Sequence, residues 1–332
     1  MEEKMNMARG NFVRNQKSVW FPVDDSEPSL NLKHPFAGLE SIYVDTLPRD
    51  VSVHVMPIGG RSQSRKDFAV RIQPANDKLE RLIAQGLTEG GSSYGGDLGG
   101  AVCDFVQRCA SRLMRYGKAV FEIVFLRDRD NQEIVGCDLF EIDVRTLTFE
   151  TKKIVQLVPE KWAAERKVPT VIELDKRRLA IFSLPSGSPD LFAIKEALAQ
   201  LGGAALVQMF EVAQGDNQLG YDTKEHIRAE HLAIAAATRS IGWSAGQNLY
   251  ELFTEYYVLY RRLVFERFVI TLRESILRTL NSALNTIAEE CGATARLHIS
   301  GLPTVDDVTR ALKELAAGDR TFGSVLDDFS LL

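Results

Sequence analysis

Apolar residues recur at intervals of three and four over the second half of the chain, and that spacing predicts one very long helix from about Asn248 to Glu290. The stripe runs Leu249, Leu252, Phe253, Tyr256, Tyr260, Leu263 and Val264, then Phe268, Leu272, Ile276, Leu280, Leu284 and Ile287. Phe265, Val269 and Leu277 add apolar surface beside it. A helix of ~40 residues measures ~60 Å, more than a small domain needs, so the pattern predicts a strut or an assembly surface. Asn248 with Glu251 three residues on predicts a capping box at its start.

The first half reads differently. The alternation of Val51, Val53 and Val55 predicts a strand over 50–56, and Gly59-Gly60 predicts a turn before a strand over Phe68–Ile72. A short helix is expected over Asn76–Gln85. Asp97 is placed to cap a helix over 97–115 that buries Leu98, Val102, Phe105, Val106, Cys109 and Leu113, closed by Gly117. Lys118–Leu126, with Ala119, Phe121, Ile123 and Phe125 on one face, turns at Asp128–Asn131 and returns as Ile134–Phe140, a hairpin. Short strands over 147–149, 154–157, 171–174 and 179–182 complete a small mixed or antiparallel sheet carrying that helix. Ser188-Pro189 predicts a helix start, running to about Val212. After a polar break over Gln214–Gly220 comes a helix from Thr223 to Ser240, and Gly242–Gly246 breaks the pattern again. Leu297–Ile299 reads as a strand, and Thr304 and Thr321 as caps of two short terminal helices. The expected fold class is α+β with a helix-rich C-terminal half. The expected division is a weakly ordered arm over 1–40, an α+β domain over 41–187 and a helical region over 188–332.

Composition changes little. At 332 residues, 45% hydrophobic and 26% charged, a sizeable core is affordable. The net charge of −5 gives no global signal for nucleic acid, though a local basic surface is compatible with it. Arg261, Arg262, Arg267, Arg273 and Arg278 on the long helix are the candidates for a phosphate-facing surface. Glu251, Glu255, Glu266 and Glu274 are interspersed with them, which reads equally as solvated charge with i,i+4 pairing. Cys103, Cys109, Cys137 and Cys291 form no CxxC pair and read as reduced thiols. The first residues hold no apolar leader core. Charges at Glu255, Arg261, Arg262, Glu266 and Arg267 break Leu252–Leu272, so no membrane span is expected.

Motifs for chemistry are sparse. Glu89–Gly100 holds six glycines but lacks the lysine of a P-loop, and reads as a hinge or loop. His226 and His231 are five apart, whereas a zincin needs two histidines four apart on one helical face. His34, His54 and His298 have no partner legible in sequence. Ser183–Gly187 is not a nucleophile elbow. The expectation is therefore no enzyme, with no catalytic, metal or cofactor-binding residues.

The order of elements, with some of their residues, resembles the portal proteins of tailed bacteriophages. The likeness runs from about Ile42 to Phe329. Its clearest piece is the helix 97–115 followed by Arg115-Tyr-Gly-Lys-Ala-Val-Phe-Glu-Ile-Val-Phe125 and the hairpin into Cys137-Asp-Leu-Phe-Glu-Ile-Asp143. Leu232-Ala-Ile-Ala-Ala-Ala, Leu280-Asn281-Ser-Ala-Leu284, and Gly301-Leu-Pro-Thr followed by Leu315-Ala-Ala-Gly-Asp-Arg-Thr321 are similar to the family's C-terminal pieces. The resemblance implies a ring of about a dozen copies at one capsid vertex, a structural conduit for packaging and ejecting double-stranded DNA. It implies capsid protein and tail or adaptor proteins as partners, DNA passing non-specifically, and residence in the virion after assembly in the host cytoplasm. The chain is short for that family, and the stretch between Leu206 and Leu232 leaves little room for its clip domain. Ring membership is thus implied more strongly than terminase docking. Two other readings stay open on the residues alone: a cytosolic helical scaffold or adaptor, and an enzyme with its site near the glycine loop or the 224–231 histidines.

Overall fold

The computed structural model describes residues 12–23, 41–56, 68–88, 97–201, 223–247, 249–250 and 252–329. The fold is α+β, with small antiparallel sheets and one long helix. The chain divides into two compact units. One comprises Met1–His34, Met56–Leu184 and Glu274–Leu302; the other comprises Pro35–Val55, Pro185–Arg273 and Pro303–Leu332. The chain passes from one to the other at Leu184–Pro185. Otherwise the division is not linear, because strand β2 (Ala69–Gln73) pairs with β9 (Arg296–Ser300), Ile72 opposite Leu297, and draws a C-terminal segment into the first unit.

In the first unit the central strand is β3 (Lys118–Asp128). It pairs antiparallel with β4 (Ile134–Ile142), with β8 (Leu179–Ser183) and, at its far end, with β1 (Phe12–Arg14). Helix α2 spans Asp77–Leu87. Helix α3 (Leu98–Tyr116) begins where the Asp97 carboxylate accepts the N–H groups of Gly99 and Gly100, at 3.1 and 3.0 Å. It ends at Gly117, whose φ of +72° suits a residue without Cβ. Both ends stand as the sequence predicts. Phe105 of α3 packs its ring 4.9 Å from Phe121 and 5.7 Å from Phe182, centroid to centroid.

Both faces of β3 are covered, not only the expected one. Val120 packs with Ile142, Leu147, Ile154 and Leu174. Glu122, buried in mid-strand, accepts the backbone N–H groups of Lys17 and Ser18 at 2.9 and 2.8 Å, and the Ser18 hydroxyl. Gln156 accepts Val19 N–H at 2.9 Å and donates to Val19 O at 2.8 Å. These two side chains satisfy a segment that has no strand partner of its own there. In place of the single expected sheet, the described residues form three. After β4 the Asp143 carboxylate accepts Arg145 N–H at 2.9 Å, and the resulting turn starts a separate sheet. That sheet is β5 (Leu147–Phe149), β6 (Ile154–Leu157) and β7 (Val171–Leu174), with helix α4 (Glu160–Arg166) between the last two.

The second unit is helical among the described residues. Helix α1 (Ile42–His54) occupies the stretch where alternation predicts a strand over 50–56. Val44, Leu47, Val51 and Val55 are buried at helical spacing, and Val53, the middle of the alternating valines, is exposed. Spacing of three to four over the longer window outweighs the local alternation. Helix α5 covers 191–201 as far as it is described. Its cap is Asp190, which accepts Phe192 and Ala193 N–H at 3.0 and 3.2 Å, so it starts later than Ser188. The expected helix end near Val212 and the break over 214–220 lie outside the described residues. Helix α6 spans Thr223–Ala237.

The long helix is α7, Glu255–Glu290. It starts later than the expected Asn248, because Leu249–Phe253 closes a separate turn and Thr254 caps, accepting Tyr257 N–H at 3.3 Å. Asn248 and Glu251 lie outside the described residues. Residues up to Arg273 belong with the helical unit and Glu274 onward with the sheet unit. Within the former, Leu259, Leu263 and Ile270 pack with α8 (Val305–Ala317) and α9 (Phe322–Phe329) through Val308, Ala311, Leu315, Val325 and Phe329. Within the latter, Asn281 accepts Leu297 N–H at 2.7 Å.

Thr304 caps α8 as expected, in a reciprocal box with Asp307. Bonds from the Thr304 backbone N–H and then its hydroxyl hold the Asp307 carboxyl below its ordinary range. A depressed carboxyl pKa contributes stability that is complete above the unfolded value, ~3.9, and is lost as pH falls through the lower folded value. The melting difference between the parent and Asp307→Asn is therefore expected to shrink below about pH 4. A difference constant from neutral to strongly acid pH would show that the carboxylate charge plays no part in the cap.

Candidate assembly and nucleic-acid surface

The five arginines proposed from sequence do not share one surface role. Arg261 is 3% exposed. It donates from Nη1 to Ala235 O at 2.8 Å, and from Nη2 to Thr238 Oγ1 at 2.9 Å and Trp243 O at 2.6 Å. Ala235 lies in the last turn of α6, where carbonyls lack helical partners and a cation is favoured by the helix dipole. Arg273 is 6% exposed and donates to Pro303 O, fixing the entry to α8. Arg262, Arg267 and Arg278 are exposed. Arg261 and Arg273 are thus buried against backbone oxygens of their own unit, and of the five only Arg262, Arg267 and Arg278 are exposed.

The turn between α6 and α7 is built around Arg261. Gly242 has a φ of +73°, and a Cβ there would meet Phe265 N at 2.7 Å and Arg261 O closer still. Trp243 Nε1 donates to Asp50 of α1 at 2.9 Å. His54 Nδ1 lies 2.7 Å from Asp50 O, and its ring stands 5.7 Å from that of Phe265. In sequence, Gly242–Gly246 reads only as a break. The signal it holds is a glycine next to a tryptophan, which marks a close approach only once the facing helix is known.

A second feature is exposure. No position of α6 from Lys224 to Ala233 is fully buried, and the first buried one is Ile234. Ile227 and Leu232 are 45% and 42% exposed. Tyr43 of α1 donates to Glu230. Burial first, and then that carboxylate, push the phenol's pKa up. On α7, Tyr256 and Tyr260 are also exposed, with ring centroids 6.4 Å apart.

The other candidates carry less. His226 and His231 both lie on α6, and the described residues contain no group of three or more side chains able to hold a metal ion. The glycine loop over 89–96 lies outside the described residues. The N–H groups of Gly99 and Gly100, which follow it, are taken by Asp97. Cys103, Cys109 and Cys137 are buried and Cys291 is exposed, and none of the four is in a disulfide. Burial pushes the Cys109 and Cys137 thiols up, away from nucleophilic thiolate. Among the described residues no helix is long and apolar enough to cross a membrane.

No family model matches the sequence, and no curated protein matches it. Among solved structures, a chain in the neck of an empty GTA particle, computed with C6 symmetry, is similar over 94% of this chain and 95% of its own length. The identity is 11% and the TM-score 0.42, a likeness too slight to carry an argument.

Proposed function

We propose that this chain is the ring-forming subunit of a portal-like conduit at a capsid vertex, through which double-stranded DNA is packaged and ejected and to which a tail or adaptor attaches. The observation that carries the ring is the uncovered stretch of α6. A helix this short is marginal in water unless a face of it is packed. Ile227 and Leu232 supply apolar surface for that packing, and Tyr256 and Tyr260 supply more on α7. A head-to-tail contact repeated around an axis covers the same surface on every copy. The portal reading itself rests on the order of elements from Ile42 to Phe329 and the residue pieces that resemble that family.

In this reading the chain is a structural protein and not an enzyme, and the packaging ATPase is another chain. It needs no metal or cofactor. DNA passes in weak, sequence-independent contacts directed at phosphates, which Arg262, Arg267 and Arg278 are exposed to make. Capsid protein is a partner, and terminase docks only if the 206–232 region provides for it. The protein resides in the virion after assembly in the host cytoplasm.

Native mass spectrometry and negative-stain imaging test this. A closed ring of about a dozen copies is expected. Ile227→Asp with Leu232→Asp should yield monomers whose melting temperature matches that of a dissociated parent chain. A parent chain that remains monomeric or dimeric, alone and with capsid protein, would defeat the ring and favour the scaffold reading.

A further inference from the structure

We propose that the open edge of β7 is a docking site for an extended polypeptide segment, apolar at its centre and acidic at both ends. Strand β7 ends its three-stranded sheet, with β6 on one side and no strand on the other among the described residues. Val158 N–H donates to Thr170 O at 2.8 Å, which makes 158 and 170 a hydrogen-bonded pair. Antiparallel pairing alternates, so Ile172 and Leu174 turn their backbone groups to β6, and Val171 and Glu173 turn theirs outward. Those outward N–H and C=O groups have no partner among the described residues. Both side chains are exposed, Val171 to 54%, so the edge is open to an incoming strand.

Charge selects what can pair there. Arg166 and Lys167 precede the strand and Lys176 and Arg177 follow it, all four exposed. None of the four forms an ion pair among the described residues. Of the carboxylates between them, Asp175 accepts Arg177 N–H at 3.0 Å within the turn, and Glu173 lies on the strand. A second copy of this edge would set basic pair against basic pair in either direction, which disfavours self-pairing. Phosphates of a nucleic acid would meet the cations, but they only accept, so the outward C=O groups would stay unpaired. A polypeptide strand offers N–H and C=O in alternation and meets both. Carboxylates at its two ends then face the two basic pairs, and apolar residues at its centre extend the surface of Val171 and the partly buried Ile172. This inference does not depend on ring assembly.

The test is amide hydrogen exchange of the full chain, with and without an acetylated peptide that carries two acidic residues on each side of a Val-Thr-Val-Thr centre. Contacts this few support only weak binding, with Kd ~0.1–1 mM, so the peptide is used at millimolar concentration. The amides of Val171 and Glu173 are expected to exchange fast in the free chain and to slow when the peptide binds. Val171→Pro removes an N–H that β6 does not use, so this variant should melt like the parent and lose binding. Arg166→Glu with Arg177→Glu should weaken binding by about tenfold at an unchanged melting temperature, and it carries the decision if Val171→Pro melts lower. A single-stranded oligonucleotide of equal charge should leave both amides fast. Amides already slow in the free chain would overturn the site, because another segment would then be paired with this edge. Equal protection by the oligonucleotide, no peptide binding, or binding unchanged in the variants would overturn it too.

Discussion

Gly242→Ala is expected to destabilise the helical unit by about 2–6 kcal/mol, enough to remove much of the ~5–15 kcal/mol that holds a typical domain folded. Two effects add. A φ of +73° holds alanine in the left-handed region, at about 1–3 kcal/mol. The added Cβ also runs into backbone atoms of α7, Arg261 O and Phe265 N, which have no side-chain torsion with which to move aside. Such overpacking adds about 1–3 kcal/mol more. Gly246 provides the control. Its φ is +71° and nothing lies within 4 Å of the place a methyl group would take, so Gly246→Ala meets only the backbone cost. Urea unfolding of both variants separates the two. Equal losses would mean that the turn backs away from α7 at little cost, and that the close approach does not set the geometry around Arg261.

Phe105→Ala is expected to cost about 3–5 kcal/mol in the sheet unit. Phe105 is fully buried, and its ring meets both Phe121 of β3 and Phe182 of β8. Those two rings stand 5.6 Å apart at 88°, so removing the third leaves a gap walled by two strands of one sheet. A sheet cannot close on such a gap without breaking the ladders on either side of β3. Phe105→Leu, which refills most of the volume, should lose less. A loss below about 1 kcal/mol for the alanine variant, measured by urea unfolding, would mean that the site collapses freely and that the aromatic cluster is not what joins α3 to the sheet.

The elements legible in the sequence are those with local signals at both ends. Asp97 and Gly117 bound α3 because a cap and a left-handed stop act within a few residues. Thr304 and Asp307 start α8 for the same reason. The hairpin of β3 and β4 is legible because its apolar runs and the polar turn between them lie within its own length. The same rule misleads at Val51, Val53 and Val55, where three alternating residues lie inside a longer helical period that buries Val44, Leu47 and Val51. Asn248 and Glu251 have the spacing of a capping box, yet Thr254 caps α7, because Leu252 and Phe253 close a separate turn on Leu249 O just before it.

The α+β class, the caps, the hairpin and the long apolar stripe are set locally, because each follows from side chains within a turn or two of one another. What the arginines do depends instead on packing between distant segments. Arg261 and Arg262 are adjacent and chemically identical, and no spacing rule tells them apart. One is buried because the carbonyls at the end of α6, 26 residues earlier, need a donor, and the other points to solvent. The mid-strand Glu122 is the same case: its buried carboxylate accepts two backbone N–H groups, of Lys17 and Ser18, more than a hundred residues away. Long-range satisfaction of backbone polar groups sets these roles, and it is invisible until the fold brings the partners together.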